Sequence, residues 1–286
     1  MTRLLKIKVV ACGLLLCGQV IAQQESVRIK VVHTNDTHSC VMPIHPNSAD
    51  TAQADKGGFL RRVAVLKELR KEDPDLLLFD CGDFSQGSAY YNLYKGEVEI
   101  KLMNVMRYDA ATIGNHEFDC GLENLARIYR MAEFPIVCAN YDVKGTCLED
   151  CVKPFVVLHR KGLKIGVLGL GTNLEGLVAQ TNYEGVDFED PIAVANKVAT
   201  YLKEEERCDV VICLSHLGWE IDGVDDSELI PQSRHIDIVL GGHSHSYFEQ
   251  PVVMNNADGK PVYCNQMGKN ARYVGTLTLE FTPFAE

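Results

Sequence analysis

Apolar and polar positions alternate along this chain in blocks, and the period changes from block to block. "VRIKVVHTND" (27–36) alternates and ends polar, which predicts a strand. Residues 57–71 place Phe59, Val63, Leu66 and Leu69 at helical spacing. "DLLLFDCGD" (75–83) is a short apolar run, read as a strand buried on both faces. Residues 97–107 are helical again, with Ile100, Met103 and Met106 on one face. "DAATIGNHE" (109–117) predicts a strand and turn, 122–131 a helix, and "FPIVCAN" (134–140) a strand. "PFVVLHRKGLKIGVLGL" (154–170) reads as a hairpin turning at Lys161 and Gly162. A helix over 191–206 precedes the strands "DVVICLSHLG" (209–218) and "IDIVLGGHSH" (236–245), and further strands fall around 262–266 and 273–282. Such βα alternation predicts a layered α/β fold with largely parallel central strands. No linker rich in Gly, Pro or Ser interrupts it, so one domain is expected over 23–286.

The first 22 residues break the pattern. Arg3, Lys6 and Lys8 precede a short apolar stretch from Val9 to Cys17, and Val20 and Ala22 satisfy the small-residue rule for cleavage. This predicts a signal peptide over 1–22, with export to the periplasm or the extracellular space. A lipid anchor on Cys17 is disfavoured, because Leu16 stands where a small residue is wanted. No stretch is long enough to predict an integral membrane span.

The net charge of −11 argues against a nucleic acid polymer as partner. Of the eleven cysteines two lie in the leader. The other nine form no CxxC pair, and most sit in apolar runs as small hydrophobes. Cys147 and Cys151, in a polar excursion, are the candidates for a local disulfide.

Five apolar runs end in a polar burst: Asp36-Thr37-His38, Cys81-Gly82-Asp83, Gly114-Asn115-His116-Glu117, Ser215-His216 and Gly241-Gly242-His243-Ser244-His245. Sites in open α/β sheets form beyond the carboxyl ends of the strands, so parallel strands would bring these bursts to one rim. Their Asp, Asn and His side chains make a mixed nitrogen and oxygen donor set without thiolate, which suits zinc, manganese or iron. Asp-x-His places two such groups on one strand face. Singly each burst is weak; five in order at strand ends point to a metal site.

The series "NDTH", "GD", "GNHEFD", "SHLG" and "GGHSH" resembles the calcineurin-like metallophosphoesterase superfamily. "HTNDTH" and "GNHEFDCG" resemble, more narrowly, the catalytic domain of the secreted 5′-nucleotidases, a group that includes UDP-sugar hydrolases, 2′,3′-cyclic phosphodiesterases and thiosulfohydrolases. The likeness runs over about residues 27–282. It implies a four-layer α/β/β/α sandwich with two divalent metal ions (Zn, Mn or similar). Asp36, His38 and His245 would hold the first ion and Asn115, His216 and His243 the second, with Asp83 bridging. His116 and Asp119 would form the catalytic dyad, and Asn115 and His116 would meet the substrate. The 5′-nucleotidases often carry Gln where this chain has His245, which leaves the metal open. They also carry a C-terminal domain that stacks the nucleobase; this chain stops at "LTLEFTPFAE", so that specificity domain is expected to be absent and a separate protein to supply it.

The chemistry expected is phosphoester hydrolysis. Two ions about 3.5–4 Å apart can hold a bridging hydroxide that attacks phosphorus. His116 would donate to a phosphoryl or leaving oxygen, with Asp119 orienting it. The leading expectation is a 5′-nucleotidase-like phosphomonoesterase with little base preference. The alternatives are a broader phosphoesterase acting on 2′,3′-cyclic nucleotides or UDP-sugars, and a metal-bearing binding module without turnover. Glu117 and Phe118 are read as structural, His33 as a core residue, and His45, His159 and His235 as solvated or locally bonded.

Overall fold

The computed structural model describes residues 4–7 and 26–282. In chain order its strands are β1 (Leu4–Ile7), β2 (Val27–Thr34), β3 (Leu77–Asp80), β4 (Ala110–Ala111), β5 (Ile136–Val137), β6 (Tyr141–Asp142), β7 (Val152–Lys153), β8 (Phe155–Arg160), β9 (Leu163–Gly171), β10 (Asp187–Phe188), β11 (Val210–His216), β12 (Ile238–Leu240), β13 (Val252–Asn255), β14 (Pro261–Asn265) and β15 (Gly275–Thr282). The helices are α1 (Phe59–Glu72), α2 (Ala89–Tyr94), α3 (Glu97–Met106), α4 (Gly121–Tyr129), α5 (Pro191–Glu204) and α6 (Asp226–Gln232). The cleavage site expected after Ala22 lies outside the described residues.

Two mixed sheets form the centre. The first has the order β1-β15-β2-β3-β4-β5-β7 and the second β13-β14-β12-β11-β9-β8. From β2 to β7 the first is parallel, with β15 antiparallel to β2. In the second, β9, β11, β12 and β14 run parallel, and the expected hairpin β8–β9 closes one edge. Three apolar clusters accompany these sheets. One joins Val32 and Leu78 to Phe59, Leu66, Ile100, Met103 and Leu125 of the first helices. A second gathers Ile29, Val31, Phe79 and Leu277 with Val167, Ile212 and Leu240, so it lies between the sheets. A third sets Leu168, Val211 and Val239 against Ala195, Ala199, Leu202 and Leu229 of α5 and α6. Alternate residues of one strand thus serve two cores, as Val31 and Val32 do. Three clusters of this kind are what an α/β/β/α order of layers would bury.

The helices expected from spacing appear as α1, α3, α4 and α5. Asp190 caps α5 through the amides of Ile192 and Ala193, ahead of Pro191 in its first turn. Two helices have no counterpart in the sequence reading. α2 spans six residues behind its Ser88 cap, and α6 spans seven and contains Pro231, so neither is long enough to show a period. Two expected strands shrink to the pairs Ala110–Ala111 and Ile136–Val137. All nine cysteines among the described residues are free, Cys147 and Cys151 included. No helix there is long and apolar enough to cross a membrane.

His33 is fully buried on β2 and neither ring nitrogen has a hydrogen-bond partner. Burial pushes its pKa down to about 3. The unfolded imidazole titrates near ~6.5, so the unfolded chain takes up a proton that the folded one refuses. Stability is therefore lost as pH falls from about 6.5, at up to ~1.4 kcal/mol per pH unit. Urea unfolding of the parent and His33→Leu at neutral pH and two units lower tests this. The parent should lose about 2 kcal/mol more than the variant over that interval; equal losses would show that His33 is not the titrating group.

Candidate metal centre and active site

All five polar bursts lie at or beyond the carboxyl ends of parallel strands. Asp36 and His38 follow β2, Asp83 follows β3, Asn115 and His116 follow β4, His216 ends β11, and His243 and His245 follow β12. Backbone hydrogen bonds lock neighbouring turns together. The amide of Asp36 donates to Gly82 O at 2.9 Å, that of His38 to Asp83 O at 2.9 Å, and that of Asn270 to Asp36 O at 2.8 Å.

The turns are strained. Asp36, His38, Asp83, His243 and His245 all have φ between 45° and 71°, in the left-handed region. Residues with a Cβ held there cost about 1–3 kcal/mol each, and such strain gathers where function needs it. Glycine supplies the close approaches. A Cβ on Gly114 would overlap the Asp83 carboxylate, and one on Gly242 would lie 2.6 Å from Cys81 O and 2.8 Å from His216 Nδ1.

Side chains far apart in sequence converge. His38 Nε2 and His245 Nε2 are 3.0 Å apart, and Asp36 Oδ1 lies 3.4 Å from His245 Nε2 and 3.8 Å from His38 Nε2. His216 Nε2 lies 3.2 Å from Asp83 Oδ2. Three groups have ligand atoms within 4.8 Å of one another: Asp36, His38 and His245; His38, Asp83 and His116; Asp83, His216 and His243. His116 Nδ1 is 3.0 Å from Asp119 Oδ2, with both side chains about a third exposed. Asn115 is buried and its Oδ1 has no partner.

The donor set fits divalent cations. Burial pushes His38, His243 and His245 down to about 4, which keeps them neutral with a lone pair free. Burial pushes Asp36 up to about 8. Burial also opposes the Asp83 carboxylate, yet His216, His38 and His116 outweigh it and hold the group below the usual range. His216 is the counterpart: burial would lower it, but Asp83 raises it to about 10. Its Nδ1 lies 2.6 Å from Cys81 O, so Nδ1–H can donate there and leave Nε2 facing Asp83, the orientation a ligating histidine takes. Asn115 Oδ1 would be a further oxygen donor without another use. His116 differs from the rest, because its hydrogen bond to Asp119 raises its pKa.

Of the residues that support these turns, Asn35 escaped the sequence reading, while Glu117 was read as structural without its partners. Asn35 donates to Asp36 Oδ2 at 2.6 Å and to Gly268 O, while its Oδ1 accepts from Met267 N. Glu117, read as structural, accepts the amides of Asp83 at 2.8 Å, Ser85 at 3.1 Å and Gly114 at 2.7 Å, plus the Ser85 hydroxyl. Neither role is legible locally, since Asp83 and Ser85 for Glu117, and Met267 and Gly268 for Asn35, lie on other turns. Trp219 packs edge-on to Phe248, ring centres 5.2 Å apart. His45 and His159 are exposed, and His235 is 4.0 Å from Glu204.

Several known proteins are similar to this chain. An apyrase of Tabanus yao is 33% identical over 275 residues, 88% of this chain and 48% of its own length. A 5′-nucleotidase of Homo sapiens is 31% identical, over 88% of this chain and 46% of its own length. The chain thus spans about half the length of the curated relatives it matches. Among solved structures, a 5′-nucleotidase precursor of Thermus thermophilus superposes with a TM-score of 0.79 at 30% identity, covering 88% of this chain and 51% of that one. The NAD nucleotidase of Haemophilus influenzae gives 0.79 at 29% identity, covering 91% and 48%. The family profile for calcineurin-like phosphoesterases matches residues 29–247, which takes in all five strand-end turns, and the chain belongs to that family.

Proposed function

We propose that this chain hydrolyses phosphate esters, the 5′-phosphates of nucleotides first among them. In this reading Asp36, His38 and His245 hold one divalent ion, Asn115, His216 and His243 a second, and Asp83 serves both. The supporting observation is the convergence of three ligand groups, linked through His38 and Asp83, beside the partly open His116–Asp119 pair. Divalent ions bound there supply Lewis acidity, which brings the pKa of water towards neutrality and offsets charge on phosphoryl oxygens.

The chain's own residues do the rest. Asp119 accepts from His116 Nδ1 and favours the imidazolium, so Nε2–H is free to donate to a phosphoryl oxygen or to the leaving alkoxide. The backbone N–H of His116 donates to Asp83 Oδ1 at 2.9 Å, which fixes the imidazole relative to the metal ligands. Asn115, one residue earlier and beyond β4, keeps a buried Oδ1 without a hydrogen-bond partner. A leader ending at Ala22 would place this chemistry outside the cytoplasm.

Phosphate release from AMP, UDP-glucose, 2′,3′-cyclic AMP and bis(p-nitrophenyl) phosphate, with Mn or Zn added, tests the reading. Turnover of AMP is expected, and none of any ester would overturn it.

Asp83→Ala should lose both ions and nearly all turnover, whereas His45→Ala, on an exposed loop and outside the three ligand groups, should lose neither. Native mass spectrometry counts the ions. A loaded, active Asp83→Ala would sink the metal assignment.

His116→Ala should cut kcat by roughly 10²–10⁴ while metal content stays near that of the parent. Asp119→Asn should cost less. His116 also lies within reach of His38 and Asp83, so an emptied site in His116→Ala would mark it as a ligand instead.

A further inference from the structure

Between β14 and β15 the chain passes through Gln266, Met267, Gly268, Lys269 and Asn270, and this segment is fastened to both halves of the candidate ligand set. On one side the amide of Asn270 donates to Asp36 O at 2.8 Å, and the Asn35 side chain holds Met267 N and Gly268 O. On the other, Gln266 Nε2 donates to Gly242 O at 2.9 Å, and its Oε1 accepts from Ser244 Oγ and from the amide of Ser246. The amide of Gly268 donates to Ser246 O at 2.8 Å. The segment thus joins the turn of Asp36 and His38 to the turn of His243 and His245. Gly268, Asn270 and Ala271 are left-handed, with φ of 63°, 61° and 55°.

One side chain takes no part in this fastening. Lys269 is half-buried and its carbonyl accepts from Arg272 Nε at 3.0 Å, yet its ammonium has neither a hydrogen-bond nor an ion-pair partner among the described residues. Behind burial, its positive charge helps push the imidazoles of both His38 and His245 down, so it stands beside the pair whose Nε2 atoms are 3.0 Å apart. The His245 side chain is 34% exposed, which leaves this flank open to a ligand. A fixed cation beside a divalent-ion site repels the ion and weakens its binding. An anion shared between the ammonium and the ion removes that conflict, because both attract it. Lysine meets phosphate in this way, as a point charge.

We propose that Lys269 is a substrate-binding residue whose ammonium contacts a non-bridging phosphate oxygen on the flank of His38 and His245. The proposal rests on the phosphoesterase reading for the identity of the anion and on the placement of Lys269 for the contact. It adds a fixed positive charge on the phosphoryl group to the one that His116 supplies.

Inorganic phosphate reads the contact without turnover. In calorimetric titration of the Mn-loaded chain, Lys269→Met should bind phosphate about 10–100-fold more weakly than the parent, the worth of one hydrogen bond to a charged group. Lys269→Arg should regain most of that loss. Thermal melts of both variants should match the parent. Without phosphate, Lys269→Met should bind Mn at least as tightly as the parent, because a repulsion has been removed. In kinetics, kcat/KM for AMP should fall by a factor similar to that for phosphate binding. Weaker Mn binding in Lys269→Met would mark Lys269 as a support of the ligand turns and overturn the contact. AMP turnover by the parent with unchanged phosphate affinity in Lys269→Met also overturns it and leaves the phosphoesterase reading standing. If the parent hydrolyses no ester, that reading fails, and the phosphate titration alone decides whether Lys269 holds an anion.

Discussion

One buried carboxylate holds the site in register. Glu117 accepts three backbone amides, those of Asp83, Ser85 and Gly114, and the Ser85 hydroxyl. Asp83 follows β3 and Gly114 follows β4, so the group bridges the ends of two neighbouring strands. Burial and the nearby Asp83 push its pKa up to about 7. A carboxylate kept in such a place must be fully hydrogen-bonded to be tolerated, and four donors meet that need. Its removal would free the turns that present Asp83, Asn115 and His116.

The candidate ligands share a second constraint. Five of them, Asp36, His38, Asp83, His243 and His245, stand on left-handed backbone, where side chains with a Cβ are uncommon. Folding alone gives no reason to spend stability on five such residues in one place. Two buried aspartates and several desolvated imidazoles in the same cluster add to the cost. A divalent cation would offset both terms, since it neutralises the carboxylates and uses the neutral nitrogen lone pairs. The strain and the desolvation thus argue for metal more strongly than residue types do.

Testing Asp83 and His116 separately matters because proximity does not assign their roles. His116 falls in a ligand group by distance, yet its ring is bonded to Asp119 and raised in pKa, unlike the depressed His38, His243 and His245. A proton donor and a metal ligand need opposite protonation states at the same pH. Neighbours, rather than residue type, set that difference.

The sequence by itself determined the alternation of strands and helices, the parallel cores and the placing of polar bursts at strand ends. Period and composition are local properties, and they show wherever an element is long enough to repeat, as in α1, α5 and the β8–β9 hairpin. α2, α6 and the two-residue strands are too short to carry a period, so they appeared only in the folded chain. The tertiary structure alone decided how the parts of the site meet. His38 and His245 lie 207 residues apart in sequence and 3.0 Å apart in space. Glu117 and Asn35 became supports, and Lys269 became a neighbour of His38 and His245, because distance between side chains is a property of packing. Linear order constrains such distances only weakly once the intervening chain has formed elements of its own.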